Sequence, residues 1–272
     1  MQKSKILIVS DMCGYGKVAA AAQMPIFSYM GHDVFTLPTM LISNTFPYGK
    51  YAIMESTDYI SEALQKWKEL GFSFDAITTG FMASERQAQI VAAYCSDQAS
   101  RGTAIYVDPV MGDYGKLYGG ADEGTIRCMR EMLGVAHLCF PNYTEACLLT
   151  NMPYKEEGIS REGAIELVNK VRRIGSLSVI ITSCIVEGQH AVVGYNHFSG
   201  KHFLLTYEEI PVQFPGTGDI FSSIIVGKLQ DGEKLEIATL YAMDIIHSWI
   251  DRNKDNDDIN RGIPIERHLN EL

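Results

Sequence analysis

Two glycines and a carboxylate stand directly ahead of an apolar helical pattern, in the run Phe214-Pro215-Gly216-Thr217-Gly218-Asp219. After Asp219, the apolar residues recur at spacings typical of a helix that is buried on a broad face. The glycines therefore precede a predicted helix N-terminus, where unpaired N–H groups and the helix dipole favour a phosphate that gains negative charge. Asp219 in the first turn could serve as a base, although an acid there is also ordinary helix capping.

Two acids, Asp108 and Asp113, lie at and just past the carboxyl end of another predicted strand. Carboxylates in this position could hold a metal ion with a phosphate. They suit Mg²⁺, which binds few protein carboxylates and takes its other ligands from phosphate and water. A solvated, glycine-rich loop with incidental acids remains the alternative interpretation.

Two polar pairs follow later strands. Asn142 and Glu145 have the spacing of a helix N-cap residue and an acid at the third helical position. Thr182 and Ser183 are predicted to end a strand and to offer hydroxyl groups to a phosphate. Ligands of open α/β sheets bind outside the carboxyl ends of the strands. The four sites together therefore predict a phosphotransferase.

A glycine motif near the N-terminus, Gly14-Tyr15-Gly16-Lys17-Val18-Ala19, matches the dinucleotide fingerprint G-x-G-x-x-A. A dinucleotide-dependent oxidoreductase would use it. However, Asp33 begins the second predicted strand instead of ending it, so its side chain would lie at the wrong edge of the sheet for a ribose. A Walker A loop does not fit either. We interpret the motif as a substrate loop or a tight turn.

The elements that position these residues alternate between short apolar runs and amphipathic segments. This alternation predicts a mostly parallel sheet with helices on both faces. Two further runs flank a turn and predict an antiparallel hairpin at the sheet edge. The predicted strands cover residues 5–10, 33–39, 75–79, 104–108, 137–140 and 179–182, the hairpin covers 191–195 with 202–207, and a last helix covers 235–249, followed by a polar loop over 251–261.

Composition limits the class of protein. A chain of 272 residues with 46% hydrophobic content can bury a large core, and we expect a single domain over residues 1–272. The net charge of −10 argues against nucleic-acid binding. Six scattered cysteines indicate reduced, buried thiols. The early apolar run at 6–9 is too short for a signal peptide and nothing is long enough to span a membrane, so we expect a cytoplasmic protein.

The chain resembles the pyridoxal kinases of the ribokinase superfamily over residues 10–229. The resemblance implies a ribokinase-like three-layer α/β/α fold with a mostly parallel central sheet and an antiparallel edge hairpin. It rests on the order and spacing of five segments, which are Ser43-Asn44 with Tyr48-Gly49-Lys50, Asp108-Pro109-Val110-Met111-Gly112-Asp113, Pro141-Asn142 with Glu145, Thr182-Ser183, and Gly216-Thr217-Gly218-Asp219.

The resemblance also implies a role for each site residue. Asp219 is implied as the catalytic base and as a substrate contact. The implied anion hole consists of Gly216, Thr217 and Gly218, and the implied vitamer contacts include Ser10 and Thr45. The implied metal ligands are Asp113 and Glu145. The implied ATP contacts are Asn142, Thr182, Ser183, Asp108 and Tyr118. ATP and Mg²⁺ are the implied cofactors, a monovalent cation such as K⁺ is left open, and a homodimer is implied.

The expected reaction transfers the ATP γ-phosphoryl group to the 5′-hydroxymethyl of pyridoxal, pyridoxine or pyridoxamine. Two departures from the family pattern leave the preferred vitamer open: Ser10-Asp11 replaces Ser-His, and Thr45-Phe46 replaces His-Thr. Related hydroxymethylpyrimidine kinases commonly carry Cys where this chain has Asp219, which favours the pyridoxal group. The alternatives are a hydroxymethylpyrimidine or sugar kinase, a dinucleotide-dependent oxidoreductase and a non-catalytic vitamer-binding protein.

Overall fold

The structure is a computed structural model that describes residues 3–119 and 121–272. It has eleven strands, β1 (Lys5–Tyr15), β2 (Asp33–Asn44), β3 (Ile53–Glu55), β4 (Ala76–Thr79), β5 (Ala104–Val107), β6 (Gly112–Asp113), β7 (Lys116–Leu117), β8 (Leu138–Cys139), β9 (Ser178–Val186), β10 (Gln189–Asn196) and β11 (Lys201–Thr206). Its helices are α1 (Ala19–Tyr29), α2 (Thr57–Glu69), α3 (Glu85–Ala99), α4 (Glu123–Leu133), α5 (Tyr143–Thr150), α6 (Arg161–Ile174), α7 (Thr217–Gln230) and α8 (Leu235–Asn253).

The described chain forms two compact units. The first consists of Met1–Thr78 and Ile210–Leu272, and the second of Thr79–Glu209. The three-layer α/β architecture with a mostly parallel central sheet is confirmed. The expectation of one domain over the whole chain stays a prediction.

The first unit has the strand order β4-β1-β2-β3. Strand β1 pairs with β2 in parallel from Lys5 opposite Asp33 to Tyr15 opposite Asn44, and β3 joins β2 in antiparallel orientation. Both long strands extend five residues beyond their predicted ends. The extensions contain Gly and Asn, which are depleted in strands and which suggested loops. They remain strands because the pairing continues past a register shift after Ser10.

The second unit has the strand order β11-β10-β9-β8-β5. Strands β5, β8 and β9 are parallel, whereas β10 runs antiparallel to both β9 and β11. The predicted edge hairpin is therefore confirmed. A separate two-stranded hairpin, β6 with β7, follows strand β5.

The helix that follows the glycine run is also confirmed. Helix α7 buries Ile220, Phe221, Ile224 and Ile225 against the core of its own unit. Helix α8 continues to Asn253, so the predicted loop over 251–261 begins later than expected. Among the helices of residues 3–119 and 121–272, none is long and apolar enough to cross a lipid bilayer.

Candidate active site

The N-terminus of helix α7 is formed around Gly216, its N-cap residue. Gly216 has a φ of 88°, a left-handed conformation that disfavours any side chain. A Cβ atom here would lie 2.1 Å from the carbonyl oxygen of Lys17, whereas a Cβ on Gly218 would meet nothing within 4 Å. Only glycine therefore fits at position 216, and the space beside Gly218 is open.

The first turn of α7 presents backbone donors to this open space. Within the described chain, the N–H groups of Thr217 and Gly218 have no hydrogen-bond acceptor. They stand at the positive end of a 14-residue helix. Free amides at a helix N-terminus suit an anion, and the anion hole at Gly216, Thr217 and Gly218 stays a prediction.

Asp219 lies in the same turn and is held in place by one backbone bond. The N–H of Ala19, the first residue of α1, donates to Asp219 Oδ2 at 2.7 Å. Burial, opposed by the Ala19 bond and reinforced by the negative charge of Asp11, raises the pKa of Asp219 to about 7. A carboxyl group with a pKa near neutrality can accept a proton in one step and release it in the next.

Ser10 and Thr45, the predicted vitamer contacts, belong to the same unit as Asp219. Ser10 lies on β1 and is 2% exposed, and its hydroxyl has no well-aligned partner among the described residues. Thr45 is also buried, and its Oγ1 donates to the carbonyl oxygen of Asn260 at 2.7 Å. Ser10 therefore retains hydrogen-bonding capacity for a ligand, while Thr45 is engaged by the chain itself.

The C-terminal segment contacts this region, which the sequence analysis missed. The Tyr48 hydroxyl donates to Asp258 Oδ2 at 2.6 Å, and the Lys17 N–H donates to the Arg261 carbonyl oxygen at 2.8 Å. Nothing in the polar composition of the C-terminal segment distinguishes these residues from an ordinary surface loop. These contacts could not have been predicted from one sequence.

Asn142 and Glu145, in the second unit, form the predicted capping box of α5. The Glu145 N–H donates to Asn142 Oδ1 at 2.9 Å, and the Asn142 N–H donates to Glu145 Oε2 at 2.8 Å. The same two side chains also bind a neighbouring loop. Asn142 Nδ2 donates to the Gly112 carbonyl oxygen at 2.8 Å, and the Met111 N–H donates to Glu145 Oε1 at 3.0 Å. The box therefore fixes the loop that carries Asp113.

Asp113 and Glu145 are the predicted metal ligands, and the charge of Asp113 acts on Glu145. Burial raises the pKa of Asp113, and burial together with the charge of Asp113 raises the pKa of Glu145. A cation near both groups would favour their ionised forms. No cluster of three or more His, Cys, Asp or Glu side chains able to hold a metal ion occurs in the described chain. Both carboxylate oxygens of Glu145 already accept backbone hydrogen bonds, and the metal role of the pair stays a prediction.

The prediction that Thr182 and Ser183 end a strand is wrong. Strand β9 continues to Val186 and bulges at this point, because Ala191 pairs with Cys184 whereas Val193 pairs with Ile181. Ser183 has a φ of 57°, which is unusual for a residue with a side chain. Short strand patterns cannot reveal a bulge, which often occurs beside active sites.

The remaining ATP contacts implied by the resemblance also lie in the second unit. Thr182 forms a parallel bridge with Asn142, and its N–H donates to the Pro141 carbonyl oxygen at 3.1 Å. Asp108 directly follows β5, and Tyr118 directly follows β7 with 46% of its surface exposed. The structure thus brings Thr182 next to the Asn142 capping box.

The glycine motif at 14–19 lacks the geometry of a dinucleotide fingerprint. Gly14 and Tyr15 lie inside β1, so the strand does not end before the first glycine. The N-terminal amide of α1, at Ala19, is occupied by the Asp219 carboxylate. A pyrophosphate would need that helix terminus to be open. The oxidoreductase alternative therefore loses its site.

Comparison with known proteins agrees with this geometry. The model of the family described as Phosphomethylpyrimidine kinase matches residues 39–263. A Schizosaccharomyces pombe protein provisionally named a pyridoxal kinase is 30% identical over 241 residues, which cover 84% of this chain and 68% of that protein. Pyridoxal kinase PdxY of Actinobacillus pleuropneumoniae is 27% identical over 84% of this chain and 82% of its own length.

Solved structures are similar over nearly the whole chain. A crystal structure from Bacteroides thetaiotaomicron, of a protein provisionally named a phosphomethylpyrimidine kinase, has a TM-score of 0.95 and 34% identity and covers 100% of this chain and 94% of its own. A second crystal form, with pyridoxal, has a TM-score of 0.94, 34% identity and coverage of 99% and 96%. The chain is therefore a kinase that belongs to the phosphomethylpyrimidine kinase family and, within the ribokinase superfamily, to the pyridoxal kinases.

Proposed function

We propose that this protein transfers the γ-phosphoryl group of ATP to the 5′-hydroxymethyl of a vitamin B6 vitamer, giving the 5′-phosphate. The observation that carries the proposal is the N-terminus of α7, where unpaired amides at Thr217 and Gly218 lie in one helical turn with Asp219. The similar protein that was solved with pyridoxal supports the choice of substrate class.

Each set of residues has a distinct part in the proposed reaction. Asp219 accepts the proton of the 5′-hydroxyl, and the α7 amides stabilise the negative charge of the transferring phosphoryl group. Asp108, Tyr118, Asn142, Thr182 and Ser183 are proposed to contact ATP, and Ser10 and Thr45 to contact the vitamer. Asp113 and Glu145 are proposed to hold Mg²⁺, which when bound neutralises phosphate charge.

The experiment is a substrate panel with ATP and Mg²⁺, in which pyridoxal, pyridoxine, pyridoxamine and hydroxymethylpyrimidine are compared. Asp219→Ala should lower turnover on the order of 10²-fold or more and leave ATP binding intact. Asp231→Asn is the matched control, because Asp231 lies directly after the opposite end of α7 and pairs with Lys3 on the surface. It should keep full activity.

The panel separates the two kinase functions. Turnover of any B6 vitamer that is lost in Asp219→Ala supports the proposal. Turnover of hydroxymethylpyrimidine alone would replace the substrate class, which the name of the matching family model makes worth testing. If the protein still binds ATP but turns over none of the four compounds, the proposed reaction is overturned.

We also propose a homodimer in the cytoplasm, and we leave a requirement for K⁺ to be measured. The family resemblance supports the dimer. Six buried, free thiols fit a reducing compartment. Light scattering on the purified chain gives the oligomeric state, and cell fractionation gives the location.

A further inference from the structure

Three backbone segments of the first unit meet at the N-terminus of α7. The Lys17 carbonyl oxygen packs closely against two glycines, because a Cβ atom would lie 2.1 Å from it on Gly216 and 3.0 Å from it on Gly262. A Cβ on Gly262 would also lie 3.0 Å from the Pro215 carbonyl oxygen. The Lys17 N–H donates to the Arg261 carbonyl oxygen at 2.8 Å. The C-terminal segment therefore contacts both the loop before α1 and the turn that opens α7.

The loop before α1 in turn holds the Asp219 carboxylate. Ala19 donates its N–H to Asp219 Oδ2 at 2.7 Å, and this amide lies two residues after the Lys17 amide that is bonded to Arg261. Ala19 has a φ of 49°, a left-handed conformation that is uncommon for a residue with a side chain. Such a conformation persists only where the surrounding structure imposes it. The bond of Lys17 to Arg261 and a bridge of Ala19 to Met12 supply that constraint.

The C-terminal segment is itself anchored in the first unit. Ile263 and Ile265 directly follow the contact with the loop, and both are fully buried. The His268 ring stacks on Trp249 of α8 with 5.4 Å between the centroids, and its Nε2 lies 2.8 Å from Asn253 Nδ2. A segment that is fixed in this way on both packing and hydrogen bonds can hold a neighbouring loop in place.

We propose that residues 261–262 form a positioning element for Asp219, because they fix the loop at residues 17–19 that orients its carboxylate. The inference rests on the proposed function, in which Asp219 accepts the proton of the 5′-hydroxyl. Residues 261–262 act on the loop backbone and not on the substrate. A displacement of about 1 Å in a reacting group can cost about 10²-fold in rate, so the orientation of this carboxylate matters for turnover.

The first test is Gly262→Ala in the full chain. The new methyl group would press on the carbonyl oxygens of Lys17 and Pro215, at a φ of 82° and a ψ of −179° that only glycine adopts readily. Displacement of the loop weakens the Ala19 bond, which lowers the pKa of Asp219, so the acid limb of kcat/KM should move to higher pH. The plateau kcat should fall about tenfold or more, with little change in the KM for ATP.

The matched control is Gly232→Ala. Gly232 belongs to the same unit, follows the opposite end of α7 and has a φ of 90°, but a Cβ there would meet nothing within 4 Å. This variant adds backbone strain without a contact, so its kcat and its pH profile should match the wild type. Partial unfolding would lower the rate by the same factor at every pH and leave the acid limb in place. A folded Gly262→Ala variant with the wild-type kcat and acid limb would overturn the inference.

A measurement on the wild type decides the question if Gly262→Ala fails to fold, which its thermal midpoint by circular dichroism reveals. Amide hydrogen exchange, followed by NMR at rising urea concentrations below unfolding, reports which segments open together. The Lys17 and Ala19 amides should lose protection at the same urea concentration as the Gly262 amide, which donates to the Ile259 carbonyl oxygen. Exchange at Gly262 while Ala19 stays protected would show that the loop does not depend on the C-terminal segment and would overturn the inference.

The exchange measurement needs no turnover, so it separates this inference from the proposed function. Coupled exchange in a protein that phosphorylates none of the vitamers would refute the proposed reaction and leave the positioning of Asp219 standing. Turnover of a vitamer with uncoupled exchange would refute the inference alone.

Discussion

The pH dependence of phosphoryl transfer should follow the ionisation of Asp219. Burial raises its pKa from an ordinary value of 3.8 to about 7. Only the ionised form can accept the hydroxyl proton. At pH 6, about one unit below the pKa, roughly a tenth of the enzyme would have an ionised Asp219, so kcat/KM should be about tenfold below its plateau. Below pH 6 it should fall about tenfold for each further pH unit.

The assay measures ADP release with pyridoxine, whose 4′ group is neutral, between about pH 5 and pH 9. Asp11→Asn removes the one charged neighbour that raises the pKa of Asp219, so the acid limb should move to lower pH. Asp231→Asn should leave the profile unchanged. A wild-type rate that is flat between pH 6 and pH 8, or an acid limb that persists in Asp219→Ala, would refute this account of the base.

Three further predictions concern the site and its supports. Gly216→Ala should lower the free energy of unfolding by about 2 kcal/mol or more, because a left-handed φ and a contact with the Lys17 carbonyl oxygen both oppose a side chain. Gly218→Ala meets open space and should be neutral. Urea unfolding compares the two variants, and equal stabilities would contradict the prediction. Glu145→Gln should lower the free energy of unfolding by about 1–3 kcal/mol, because a Gln side chain offers one acceptor oxygen to two backbone N–H groups. An unchanged urea midpoint would contradict the capping role. All six cysteines are buried and free, so a thiol reagent should label the native protein slowly and the denatured protein at six sites. Rapid labelling without denaturant would instead show that the core opens.

The sequence predicted the fold class well because strand and helix patterns were strong and regular. Helix α7 and the capping box of α5 were predicted from local spacing alone, and the structure confirms both. The ends of β1 and β2 were not predicted, because their last residues have low strand propensity and are held by pairing with each other. Such pairing joins residues far apart in the chain and leaves no local signal.

The site was predictable to the extent that its residues follow local rules. Gly216 and Asn142 have roles that spacing reveals, as a helix N-terminus and a cap. The backbone bond from Ala19 to Asp219 joins residues 200 positions apart, so no pattern in either segment indicates it. The bulge at Ser183 depends in the same way on the register of the neighbouring strand β10.

The contacts of Thr45 and Tyr48 join two parts of the chain that are far apart in sequence. Their partners, Asn260 and Asp258, lie 215 and 210 positions later. The local conformation around Thr45 and Tyr48 therefore depends on a segment that no nearby residue can replace. A variant that lacks residues 258–272 would retain Asp219 but leave Thr45 and Tyr48 without these partners.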